Sequence, residues 1–167
     1  MAEIIRNKEV VQDDWTVLRE ADAPLPETGK IIVPLTRWLA ERGALKARKD
    51  VGVWLNPDDD PAALVDDLAS LPLIAVDFPV FRDGRGYSTA FLLRTRYGFA
   101  GELRAIGDVL RDQLFYMQRV GFDAFAVRED KNIRDALNGL ADFSEVYQAS
   151  ANLLQPLYRR VARGGAA

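Results

Sequence analysis

Short apolar segments alternate with longer amphipathic segments along most of the chain. From Lys30 onward each strand-like segment is followed by one with helical spacing, and successive strands begin about 20 to 30 residues apart. The predicted strands are Lys30–Val33, Val51–Leu55, Leu73–Asp77, Glu102–Ile106 and Ala124–Val127, with a further one at Phe143–Tyr147. The predicted helices are Leu35–Arg42, Pro61–Ala69, Tyr87–Tyr97, Val109–Val120 and Asp130–Leu140. This repetition of βα units predicts an α/β fold with a mostly parallel sheet.

The order of the strands in that sheet stays open at this point. An incomplete barrel, in which neighbours in sequence are neighbours in the sheet, and an open doubly wound sheet both fit the repetition of βα units. In either architecture a ligand binds beyond the carboxyl ends of the parallel strands. These ends correspond to residues 77–87, 107–112 and 128–130.

The first 29 residues follow a different pattern. Two short β segments, Glu3–Arg6 and Thr16–Arg19, flank a polar turn, and Pro24 and Pro26 mark a connector. We therefore predict one α/β domain over residues 1–167. It consists of a short N-terminal β-ribbon with its connector in 1–29, a βα core in 30–150 and a C-terminal tail in 151–167 that frays.

Composition and charge exclude several classes of protein. The 167 residues include no cysteine and no histidine, which excludes a disulfide framework and any thiolate-held cluster, and we expect no bound cofactor. The net charge of −3 argues against nucleic-acid binding. No apolar run approaches the length of a membrane span and the amino terminus lacks a signal-peptide core, so a cytoplasmic protein without a membrane partner is expected.

Arginine is concentrated in the middle of this acidic chain. Five arginines lie between Arg82 and Arg104, against two acidic residues, which makes a small anion a more natural partner than a polymer. Within the segment from residue 82 to 88, two glycines allow close backbone approach and two guanidinium groups can bind an oxyanion. The anion- or partner-binding residues predicted here are Arg82, Gly84, Arg85, Gly86, Tyr87, Ser88, Arg104, Asp112 and Gln113. A tight turn held by an Asp83–arginine pair explains the same residues equally well.

Two aspartates are the candidates for catalysis. Asp77 ends an apolar strand and would face the site as a general acid or base, although it is as readily a turn cap or an arginine partner. Asp108 is predicted to be the N-cap of the next helix. Asp112 shares the face of Asp108, but two carboxylates fall short of a metal cage, so no metal is predicted. Gln113 is expected to be a buried structural amide, or otherwise a ligand contact.

Three segments also resemble a known family. They are Ile74–Pro79, Asp83–Ser88, and Gly101–Leu114 continuing through Gly121–Phe125, and they are similar to the family called domain of unknown function 934. Its members are bacterial, are commonly encoded beside assimilatory sulfite reductase and are labelled as oxidoreductases of sulfite reduction. That label rests on gene neighbourhood, and the family supplies no established catalytic residues.

The resemblance implies a pathway, whereas the composition restricts the role within it. Sulfite reduction requires cofactors that are normally held by cysteine, and this chain has none. We therefore expect an accessory component, or an oxidoreductase of another kind, with sulfite reductase or another sulfur-assimilation enzyme as partner. The alternative is a small α/β enzyme that acts on an anionic metabolite by acid/base catalysis.

Overall fold

A computed structural model describes residues 2–141 and contains an eight-stranded sheet with helices. The strands are β1 (Glu3–Arg6), β2 (Glu9–Gln12), β3 (Trp15–Val17), β4 (Lys30–Pro34), β5 (Val51–Leu55), β6 (Leu73–Phe78), β7 (Glu102–Gly107) and β8 (Ala124–Phe125). The α-helices are α1 (Leu35–Ala40), α2 (Arg42–Ala47), α3 (Arg85–Thr95), α4 (Arg111–Val120) and α5 (Ile133–Asn138). Two 3₁₀ helices cover Pro61–Asp67 and Gly139–Ala141.

The sheet is curled into a half-barrel with the strand order β2-β1-β8-β7-β6-β5-β4-β3. Strands β3 to β8 are all parallel, and β1 and β2 add an antiparallel hairpin beside β8. Sequence neighbours are therefore sheet neighbours through most of the fold, as in an incomplete barrel. The two outermost strands are joined by Asp13 and Asp14 alone, which keeps the end of β2 and the start of β3 within about 11 Å of each other.

The two faces of the curled sheet are covered differently. Residues on one face, such as Val53, Val76 and Leu103, pack against the helices in the main hydrophobic core. The concave face carries a smaller cluster made of strand residues alone. Its members are Ile32, Leu73, Ala75 and Ile106, with Trp15, Val17, Trp54 and Ala126 packed against them. Because side chains alternate along a strand, Asp77 and Arg104 also point to this concave face.

The structure confirms the predicted α/β class and the strands of the core to within two residues at each end, but it corrects the amino-terminal region. The N-terminal ribbon exists as the β1–β2 hairpin, so its second strand is Glu9–Gln12 and not Thr16–Arg19. The latter segment contributes β3 to the opposite edge of the sheet, parallel to β4. The predicted strand Phe143–Tyr147 and the predicted tail lie outside the described residues.

Three predicted helices also differ in detail. The segment Leu35–Arg42 contains α1 and then breaks, and α2 follows it without having been predicted. The segment after Asn56 is a 3₁₀ helix that starts at Pro61, with Asp60 as its side-chain cap. The last predicted helix begins at Ile133 rather than Asp130, because Asn132 caps it by accepting hydrogen bonds from two backbone amides. None of the described helices has the length and apolar character needed to cross a membrane.

Candidate functional site

Four charged side chains converge at the carboxyl ends of the parallel strands. They are Arg19 after β3, Asp77 near the end of β6, Asp108 after β7 and Arg128 after β8. With Phe78, Pro79 and Gly107 they line an open cleft of about 510 Å³. This is the edge of the sheet at which α/β proteins bind ligands, and the arrangement supplies charged groups of both signs there.

Arg19 is held in place by β5 and β6. One of its terminal nitrogens lies 2.9 Å from Asp77 Oδ1, and its guanidinium stacks over the ring of Trp54 at 5.3 Å. The indole nitrogen of Trp54 also donates a hydrogen bond of 3.0 Å to the carbonyl of Leu18. The strand-borne tryptophan thus fixes both the backbone before Arg19 and the plane of its side chain.

Arg128 is paired more completely than Arg19. Its Nη1 donates to Asp108 Oδ1 at 2.9 Å, while its Nε and Nη2 donate to the two oxygens of Asp130. These bonds hold the pKa of the Asp130 carboxyl below its ordinary value. All three guanidinium nitrogens of Arg128 therefore already have carboxylate partners.

A glycine makes the turn that brings Asp77 and Asp108 together. Gly107 has φ +90°, in the region that favours glycine, and a Cβ there would lie 2.5 Å from the carbonyl oxygen of Phe78 and 2.6 Å from Asp77 Oδ1. The turn lets the amide of Asp108 donate to that same carbonyl at 2.7 Å. No other residue type fits this approach between β6 and β7 without a shift of the backbone.

The cleft continues into a second, larger lobe on the concave side of the sheet. This inner lobe has a volume of about 740 Å³ and shares Arg19, Gly107 and Arg128 with the first. Its wall includes Val17 and Ile106, and charged residues such as Glu3, Asp13 and Lys131 lie around it. A separate pocket of about 380 Å³ lies at the amino ends of the strands.

The arginine-glycine segment forms a closed turn in the structure. Arg85 donates to both oxygens of Asp83 at 3.0 and 2.7 Å and to Asp58 at 2.6 Å. These hydrogen bonds hold the pKa of Asp83 below its ordinary value. The alternative of a turn held by an Asp83–arginine pair therefore describes this geometry, and an anion at Arg85 would have to displace a carboxylate.

The other residues of that segment are placed separately. Gly86 packs under α3, where a Cβ would meet the Phe78 ring at 2.6 Å, and Tyr87 contacts the edge of the same ring. Gly84 and Ser88 are exposed, and Arg82 stacks over Phe81. The glycines thus permit turn and helix packing. The structure does not bring these residues together with Asp77 and Asp108.

Arg104 lies inside the curled sheet, away from Arg85. Its side chain is 1% exposed and binds both oxygens of Asp13 at 3.0 Å and Glu102 at 2.8 Å. Asp13 belongs to the connection between the two edge strands, so this ion pair ties the edges of the sheet to its middle. Its guanidinium is committed to these two carboxylates.

The prediction that Asp108 caps a helix is wrong. Two residues, Val109 and Leu110, separate Asp108 from the start of α4. Leu110 therefore occupies the N-cap position, and its side chain makes no cap hydrogen bond. Asp108 instead accepts a hydrogen bond of 2.9 Å from the amide of Phe81 and pairs with Arg128. Asp112 is exposed in the first turn of α4.

Gln113, like Asp108, binds the backbone of Phe81. Its Nε2 donates a hydrogen bond of 2.7 Å to the carbonyl oxygen of Phe81, while its Oε1 is buried and has no partner among the described residues. The hydrogen bond expected of a structural amide is present, but Gln113 is half-buried rather than buried. Asp108 and Gln113 together bracket the backbone of Phe81, whose own side chain stays exposed.

Substitution of Asp108 with alanine is expected to lower the free energy of unfolding by about 1–2 kcal/mol, through loss of charge-assisted bonds to Phe81 and Arg128. Hydrogen exchange at the Phe81 amide should accelerate, which loss of a helix cap would not produce. Asp112→Ala is the matched control, because Asp112 has no partner among the described residues and should leave that amide unchanged. Unchanged exchange at Phe81 in Asp108→Ala would contradict the assignment.

The sequence reasoning missed Arg19 as a site residue and named Arg128 only as the start of a site loop. Arg19 was assigned to the end of a strand in an appended ribbon, so nothing placed it beside Asp77. The usable signal was its position directly after an apolar segment, the position that identified Asp77. Among residues 2–141, no group of three or more carboxylates is arranged to hold a metal ion.

Comparison with known proteins gives a family and no further description. A family model described as bacterial protein of unknown function, DUF934, matches residues 52–158, which include β5 to β8 and most of the cleft. No protein with a curated description matches the chain. The match spans well over half of the 167 residues and agrees with the resemblance carried by residues 74–125. The chain therefore belongs to the DUF934 family.

Proposed function

We propose that this protein binds a small oxyanion at Arg19, in the cleft at the carboxyl ends of the parallel strands, and serves assimilatory sulfite reduction as an accessory component. The observation that carries this proposal is the state of Arg19. Its side chain is 47% exposed and is stacked on Trp54, and Asp77 is its one ion-pair partner among the described residues. A guanidinium offers five donors, so the ion pair with Asp77 leaves others for a ligand.

The neighbouring groups favour Arg19 over Arg128, Arg85 and Arg104 as the anion ligand. Arg128, Arg85 and Arg104 each bind two carboxylates. An anion at any of them replaces an existing charge-assisted bond, whereas an anion at Arg19 adds to the pair with Asp77. The aromatic ring beneath Arg19 also fixes the orientation of the guanidinium before a ligand arrives.

The pathway part of the proposal rests on the family. The chemistry of sulfite reduction requires a sirohaem and an iron–sulfur centre, and the chain supplies neither cysteine nor histidine to ligate them. Sulfite reductase, or another enzyme of sulfur assimilation, is therefore the partner that we propose, with this protein binding sulfite or a related anion beside it.

Saturable stabilisation by anions is the expected result for Arg19. Sulfate, sulfite or phosphate at about 100 times the dissociation constant should stabilise the folded protein by about 2.7 kcal/mol, or a rise in melting temperature of roughly 5–10 °C. Arg19→Ala should abolish the saturable part of the rise. Arg85→Ala is the matched control, because Arg85 is also exposed at this edge but is bound to Asp83 and Asp58.

The shape of the titration distinguishes specific binding from the general exclusion of sulfate from protein surfaces. Exclusion raises the melting temperature without saturation and equally in all three proteins. If only Arg85→Ala lost the saturable shift, the anion-binding site would be at Arg85, in the arginine-glycine turn. Equal shifts in all three proteins would reject both arginines as ligands.

The second candidate function is acid/base catalysis on an anionic metabolite. The favouring observation is that Asp77 is 8% exposed and faces the cleft beside the proposed anion ligand. In that arrangement Arg19 would orient the substrate and Asp77 would transfer a proton. If the protein is such an enzyme, Asp77→Asn should retain the saturable rise in melting temperature with anions but lose turnover of the substrate. If it is an accessory protein, Asp77→Asn should keep its effect on the activity of sulfite reductase.

A further inference from the structure

The cleft beside Arg19 is much larger than an inorganic oxyanion requires. Its outer and inner lobes have volumes of about 510 and 740 Å³ and meet at Arg19, Gly107 and Arg128. Cavities of roughly 300–1,000 Å³ are typical of sites for organic ligands.

One wall of the inner lobe is apolar; Val17 and Ala126 keep part of their surface there, while Ile106 is 2% exposed. Val17, Ile106 and Ala126 line it, and all three belong to the cluster on the concave face of the sheet. The opposite face of the sheet packs against helices, whereas this cluster consists of strand residues with Ala126 directly after β8. The wall is therefore apolar surface presented to a cavity.

Three of the four acidic residues that line the inner lobe have arginine partners, and the fourth, Glu129, is exposed. Asp13 binds Arg104, and Glu3 binds Arg134 at 3.2 Å. Asp130 binds Arg128. Their charges are offset within the protein, so they make no strong demand for a cationic ligand. A ligand in this cleft would therefore contact the donors of Arg19, where the two lobes meet, and the apolar wall of the inner lobe.

We infer that the ligand is an organic anion with an apolar body, whose acidic group binds Arg19 and whose body lies in the inner lobe against Val17, Ile106 and Ala126. The inference rests on the proposed function, since it uses the same arginine. It deepens that proposal by naming an organic sulfonate, phosphate or carboxylate as a ligand that binds more tightly than a free inorganic anion. The wall supplies affinity that an inorganic anion does not obtain, because burial of apolar surface adds to the ion pair.

The test compares probes that share one head group. Binding of methanesulfonate, benzenesulfonate and 2-naphthalenesulfonate is measured by calorimetry on the unmodified protein and on three variants. Ala126→Phe fills the inner lobe, Ala69→Phe places the same side chain at an exposed position outside it, and Arg19→Ala removes the head-group ligand. The probe series on the unmodified protein requires no variant to fold.

The naphthalene probe should bind at least tenfold more tightly than methanesulfonate to the unmodified protein and to Ala69→Phe. Ala126→Phe should reduce that ratio to about two while methanesulfonate binds as before, and Arg19→Ala should lose all three probes. Equal affinity across the series, or a ratio that survives Ala126→Phe, overturns this inference and leaves the anion site intact. Failure of every probe on the unmodified protein removes the proposed function as well.

Discussion

Replacement of Arg104 by methionine is expected to lower the free energy of unfolding by about 3 kcal/mol, one of the two largest effects predicted for this protein. The Arg104 side chain is 1% exposed and binds Asp13 and Glu102. Methionine preserves much of the volume but leaves Asp13 in a largely buried position without its cation, whereas Glu102 keeps its ion pair with Arg6 at 3.0 Å. Urea unfolding followed by tryptophan fluorescence measures the change.

The size of this effect follows from where the pair lies. Asp13 sits between β2 and β3, the two edges of the curled sheet, and Arg104 reaches it from β7 across the concave face. Loss of the Arg104 guanidinium therefore leaves the charge of Asp13 unpaired. It also weakens the attachment of both sheet edges to the middle of the sheet. A second substitution, Asp13→Asn, should recover part of the loss because it removes the uncompensated charge.

An exposed ion pair provides the control for Arg104. Arg134 is 69% exposed and pairs with Glu3, so Arg134→Met should change stability by less than about 1 kcal/mol. If Arg104→Met destabilises the protein no more than Arg134→Met does, the buried pair does not hold the sheet edges.

The other large effect is expected for Gly107→Ala, which should lower the free energy of unfolding by about 3 kcal/mol. A left-handed backbone costs a non-glycine residue about 1–2 kcal/mol, and the new Cβ would also meet the Phe78 carbonyl at 2.5 Å and Asp77 Oδ1 at 2.6 Å. Relief of that contact requires β6 or β7 to shift. The same shift displaces Asp77, so affinity for anions at Arg19 should change together with stability.

Gly98→Ala separates the two causes. Gly98 also has a positive φ, +67°, but a Cβ there would have no neighbour within 4 Å. It should therefore show the backbone strain alone, about 1–2 kcal/mol, without an effect on anion binding. Equal losses of stability in the two variants would mean that the close approach between β6 and β7 contributes nothing.

The core of the fold was predictable because its strands are locally encoded. Segments such as Val51–Leu55 are continuously apolar and are bounded by turn residues, which is typical of strands buried on both faces. The amino-terminal strands were not predictable in the same way. Glu9–Gln12 is half exposed and short, and the assignment of β3 depends on pairing with β4, which lies beyond the proline-containing connector.

The site was predictable only in part, for a related reason. Asp77 and Asp108 follow buried parallel strands, so the general position of a ligand edge identified them. Arg19 reaches Asp77 because the sheet curls, and no local pattern encodes curl. The pairing of Arg85 with Asp83 is a contact between residues two apart and was available as an alternative, whereas its contact with Asp58 spans 27 residues.

The burial of Arg104 shows the same limit most clearly. Its partner Asp13 is 91 residues away, and an arginine in an otherwise apolar strand was taken as part of a cationic face. Only the three-dimensional arrangement shows that this charge is used inside the protein. Sequence alone therefore did not show that Arg85 and Arg104 have carboxylate partners, and it did not place Arg19 in the cleft.

The central claim, that an oxyanion binds Arg19 at the carboxyl edge of the half-barrel, is tested most directly by locating a heavy analogue of sulfate. Selenate is bound to crystals of the protein and its position is read from the anomalous signal of selenium, with Arg19→Ala crystals treated in parallel. We predict a peak within hydrogen-bond distance of the Arg19 guanidinium that is absent from the variant. A peak at Arg85, or one that persists in the cleft of Arg19→Ala, would contradict the claim.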